Sequence, residues 1–69
     1  MSCTEKQRLV TAYEAETAKF SAALSNLQRK MGTSRKAEFV RLQSLVRDAR
    51  AKSEQARIEL ERHIAEHKC

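Results

Sequence analysis

The chain has 69 residues, enough for one small domain and too few for a large enclosed core. Proline is absent, glycine occurs once and only 4% of residues are aromatic, while 33% are charged, a composition of long helices rather than sheets. The net charge of +5 permits contact with an anionic surface without demanding it, and no run approaches the length of a membrane span.

The first predicted element runs from about residue 4 to 31. Ser2 with Glu5, and Thr4 with Gln7, stand at capping-box spacing before it. Along it Val10, Tyr13, Thr17, Phe20, Leu24, Leu27 and Met31 recur at alternating steps of three and four. That is the apolar stripe of an amphipathic helix. Arg29 and Lys30 suit its negative C-terminal end. Gly32, the sole glycine, fits the left-handed residue that commonly closes a helix.

A turn at residues 32–34 follows, with Thr33 or Ser34 expected to cap the second helix, about residues 34–67. Its stripe is Phe39, Leu42, Val46, Ala49, Ser53, Ala56 and Leu60. So short a turn makes the helices antiparallel neighbours. The stripes then match layer by layer. Leu27 meets Phe39, Leu24 meets Leu42, Phe20 meets Val46, Thr17 meets Ala49, Tyr13 meets Ser53 and Val10 meets Ala56. Large residues lie opposite small ones, as interdigitated packing requires. The expected fold is an all-α, two-helix antiparallel coiled-coil hairpin forming one domain over residues 1–69.

Leu9, Ala23, Leu45 and Ile64 flank this seam, and Val40 and Ile58 lie further round. They read either as scattered surface residues or as a second contact face. The second reading is preferred because a lone two-helix core is thin. Two hairpins would then pair into a four-helix bundle, or one would hold a partner helix.

The termini carry what chemistry there is. Cys3 and His63 fall in one expected layer, His67 lies one turn beyond His63, and Cys69 ends the chain. Cys and His are the usual ligands of tetrahedral zinc, so one reading closes the hairpin with a metal there. A Cys3–Cys69 disulfide and free thiols are the other readings, and no cofactor is assigned. No carboxylate sits on the seam and no glycine-rich or catalytic motif is present, so an enzyme is not expected.

The charge is uneven. Arg29, Lys30, Arg35, Lys36 and Arg41 surround the turn against Glu38 alone, whereas Glu5, Glu59, Glu61 and Glu66 gather at the other end. A basic tip suits phosphates, and with no aromatics there to stack on bases such contact would be to the backbone. Otherwise the face is solvated and laced with pairs such as Glu54–Arg57 and Glu59–His63.

The strings TAYEAETAKFSAAL, GTSRKAEFVRL and SEQARIELERHIAEHKC together resemble a class of short, uncharacterised bacterial proteins, over roughly residues 9 to 69. The resemblance implies a small bacterial protein and brings no activity or functional residue with it. The N-terminal MSCTEKQRLV lacks the apolar core of a secretory signal. If Met1 is the natural start, the cytoplasm is the expected compartment. The expected role is a small non-catalytic interaction protein, binding itself or another helix through Leu9, Leu45 and Ile64. The alternative is a nucleic-acid backbone binder acting through Arg35 and Lys36 at the turn.

Overall fold

The computed structural model describes residues 4–67, which form helix α1 (Thr4–Lys30) and helix α2 (Lys36–His67). The two pack side by side as an antiparallel hairpin. Ser2, Cys3 and Cys69, and the readings that rest on them, lie outside the described residues.

The linker is longer than the three residues expected, spanning 31–35. Gly32 takes φ +83°, the left-handed region that glycine alone enters without a Cβ penalty. Neither Thr33 nor Ser34 caps α2. The Thr33 hydroxyl donates back to the Lys30 carbonyl at 3.3 Å, which also accepts from the Thr33 and Ser34 amides. These residues therefore close α1 instead. The Arg35 carbonyl accepts the first bond of α2, from the Phe39 amide at 2.9 Å. Met31 falls outside α1 and is 58% exposed, so the α1 stripe ends at Leu27.

One layer of the seam is joined differently from expectation. The Thr17 and Ser53 hydroxyls bond each other at 2.9 Å across the seam. Thr17 thus meets Ser53, one turn further along α2 than Ala49, its expected partner. Two causes combine. The longer linker delays the return of the chain. Side chains on both helices also tilt toward their own N-termini, so contacting residues lie further along each helix than a backbone count implies.

The core is correspondingly small. Among the described residues only Leu42, Ala56 and Ser53 are buried, and no side chain is fully enclosed. Val10, Tyr13, Phe20, Leu27, Phe39 and Val46 are half-buried. Two cylinders meet along one line, so each shields only a strip of the other. Buried Ser53 needs a partner, and the Thr17 hydroxyl supplies it.

Replacing Leu42 with alanine should cost about 2–3 kcal/mol of stability in urea denaturation, against under about 0.5 for Leu45→Ala. Ser53→Ala alone should cost about 1 kcal/mol by stranding Thr17. The pair Thr17→Val with Ser53→Ala should recover most of that loss, a coupling absent if Thr17 met Ala49.

Candidate functional site

Three surfaces carry the residues singled out in the sequence: the turn, the open end and the two edges of the seam.

At the turn, Arg35 immediately precedes α2 and Lys36 opens it, both exposed. Lys30 pairs with Glu38 across the turn at 3.2 Å, and Arg29 donates to Asn26 at 3.3 Å. Arg35, Lys36 and Arg41 make no ion pair among the described residues. A helix N-terminus carries partial positive charge from its open amides. Arg35 and Lys36 therefore stand where the α2 dipole disfavours them, and Glu38 is the only acid in that first turn. Arg29 and Lys30, by contrast, complement the C-terminus of α1. The turn is a concentrated positive end that the fold itself does not neutralise.

At the open end, Glu5, Arg8 and Leu9 of α1 and Glu59, Arg62, His63 and Glu66 of α2 line a shallow groove. Arg8 binds both carboxylate oxygens of Glu5. That hydrogen bond holds the Glu5 carboxyl below its ordinary range, assisted by the Arg8 charge and more weakly by His63 and His67. Glu5 in turn raises the Arg8 guanidinium. Arg57 reaches Glu54 at 3.5 Å, as expected, and Glu61 at 2.9 Å; Arg62 reaches Glu66 at 3.7 Å. The expected Glu59–His63 pair does not form. Glu59 accepts from Gln55 at 3.3 Å, and the His63 ring packs on His67 with centroids 4.5 Å apart. His63 Nε2 is shielded from solvent and has no hydrogen-bond partner among the described residues. Among the described residues no three His, Cys, Asp or Glu side chains group to hold a metal ion.

The seam has two edges, and they differ. The Lys30–Glu38 bridge spans one of them. Seven-residue steps return to nearly the same side of a helix. Stepping from Lys30 gives Ala23, Glu16 and Leu9; stepping from Glu38 gives Leu45, Lys52 and Glu59. The groove, where Leu9 lies beside Glu59 and Glu66, falls on this same edge. The opposite edge carries Gln7, Glu14, Ser21 and Gln28 against Gln43, Arg50, Arg57 and Ile64. Leu9 and Leu45 thus share an edge, and Ile64 lies across the seam from them. Leu45 is 51% exposed and Ile64 39%, with Leu9 half-buried. One oxygen of Glu16, on the Leu9 edge, is shielded without a hydrogen-bond partner among the described residues, while the other receives Lys19 at 3.4 Å. Val40 and Ile58 are exposed on the outer side of α2.

No described helix is long and apolar enough to cross a membrane. No protein-family model, curated protein or solved structure matches the chain.

The Glu5–Arg8 pair has a defined pH signature. A lowered carboxyl contributes stability above its unfolded value and loses it as pH falls through the folded one. Glu5→Gln should therefore lower the thermal midpoint at about pH 6 and lower it less at about pH 2, where protonation weakens the wild-type pair. Circular dichroism melts at the two pH values check this.

Proposed function

We propose that this hairpin is a small non-catalytic interaction module whose core is completed by further helices, from a second copy or from another helical protein. The observation that carries the reading is the incompleteness of the core: no side chain among the described residues is fully enclosed. The molecule exposes 5534 Å², against about 4,400 Å² for a compact monomer of 7.9 kDa. Its radius of gyration is 15.7 Å, against about 11 Å for a compact chain of this length. Leu24, Val40, Leu45, Ile58 and Ile64 are among the large apolar residues left in water. Hairpins of this size commonly gain stability by association. The composition and the three-four stripes fit coiled-coil packing in such an assembly. The reading places the module in the cytoplasm.

A second reading has its own support in the turn. Arg35 and Lys36 are held against the α2 dipole and Arg41 beside them is also unpaired among the described residues, an arrangement that suits phosphate. It would bind nucleic-acid backbone without reading bases, because the turn presents no aromatic side chain beyond half-buried Phe39.

Sedimentation equilibrium separates the two. Self-association should appear at micromolar concentration and raise helical content and melting temperature together. Leu9→Lys with Leu45→Lys should abolish it, while Ile64→Lys changes it little. A chain that stays monomeric to about millimolar concentration and binds no helical partner overturns the reading. Binding of duplex DNA that falls about a thousand-fold between 50 and 200 mM salt, and vanishes in Arg35→Glu with Lys36→Glu, establishes the second instead.

A further inference from the structure

We propose that the partner is a second copy of this chain, seated on the Leu9–Leu45 edge and running antiparallel, so that each basic turn lies over the other copy's open end. The inference rests on the interaction-module reading and specifies its occupant, its face and its orientation.

The face follows from the difference between the edges. One carries Leu9, Ala23 and Leu45 along its length; the other carries a single apolar residue, Ile64. Burying the second would strand Gln7, Glu14, Gln28 and Gln43, each needing partners that an apolar layer does not offer. The first also carries Glu16, Lys30, Glu38, Lys52 and Glu59, but Glu16 is paired with Lys19 and Lys30 with Glu38, so covering it extends the existing seam of Leu42, Ser53 and Ala56 into a four-helix core with Lys52 and Glu59 left to pair.

The occupant follows from area. The surface in excess of a compact monomer is about 1,100 Å², and a standard interface covers about 800 Å² on each partner. One face of a hairpin 53 Å long and 14 Å wide offers about that much. A single added helix would cover half the width and leave the rest wet. A second hairpin matches length and width, and two-fold symmetry makes the patch self-complementary.

The orientation follows from charge. A parallel pair would stack two turns, each with Arg35, Lys36 and Arg41 unpaired and the positive end of α2 behind them. Packed helices lie about 10 Å apart, within one Debye length at moderate ionic strength, so those charges repel effectively. An antiparallel pair separates the turns by the length of the molecule. It brings each instead to the end where Glu5, Glu59, Glu61 and Glu66 outnumber Lys6, Arg8 and Arg62, and where Glu59 alone of those acids makes no ion pair among the described residues. Symmetry makes that contact twice.

Subunit mixing tests the orientation. A chain carrying Arg35→Glu, Lys36→Glu, Arg41→Glu, Glu59→Lys and Glu66→Lys has its two ends exchanged in sign. It should self-associate within about three-fold of wild type. Mixed with mass-labelled wild type and read by native mass spectrometry, it should form heterodimers at least about five-fold below the statistical share, because acidic then meets acidic and basic meets basic. Enriched or statistical heterodimers overturn the antiparallel arrangement and leave the module reading intact. A wild-type chain monomeric at every concentration fails the self-association itself. Should the exchanged chain not fold, wild type alone decides. Raising salt from about 50 to 500 mM should loosen an antiparallel dimer two- to five-fold. An unchanged or tighter dimer overturns the proposal.

Discussion

Two helices can share only one line of contact, and the rest of this structure follows from that limit. A line of contact shields a strip of each cylinder and encloses nothing. Leu42 and Ala56 are the buried apolar residues, and the bulkier Tyr13, Phe20 and Phe39 each keep part of their surface in water. A core so narrow must spend every layer well. The Thr17–Ser53 hydrogen bond shows how one polar layer is accommodated, by pairing two short hydroxyls where either alone would be left dry. The same limit makes the outer faces of the hairpin candidates for burial in an assembly.

Most ion pairs among the described residues are local. Arg8 with Glu5, Lys19 with Glu16, Arg57 with Glu54 and Glu61, and Arg62 with Glu66 are all three or four residues apart on one helix. Such exposed pairs support each helix weakly and say little about how the helices meet. The Lys30–Glu38 bridge is different, because it joins the helices and marks an edge. The unpaired cations at the turn differ again. They oppose the α2 dipole, and no neighbouring acid apart from Glu38 offsets them. Local conflicts of that kind in an otherwise consistent helix tend to accompany function. Both functional readings draw on this one feature, one through a second copy's carboxylates and the other through phosphates.

The sequence by itself determined that there are two helices, where each broadly lies and that they run antiparallel. A three-four repeat has no other regular solution, and a short glycine-containing link leaves the chain no room to do otherwise. It also placed the basic residues at the turn and His63 with His67 at the far end, since linear order becomes height along a hairpin. What only the tertiary structure decided was lateral. Thr17 faces Ser53 rather than Ala49 because side-chain tilt and a five-residue link add about one turn. Leu45 and Ile64 part to opposite edges because a flank has two sides that periodicity alone does not distinguish. His63 packs on His67, one turn on along the same helix, while Glu59 accepts from Gln55. Spacing fixes which residues can meet along one helix; which residues meet across two depends on a rotation and an offset that no single helix encodes.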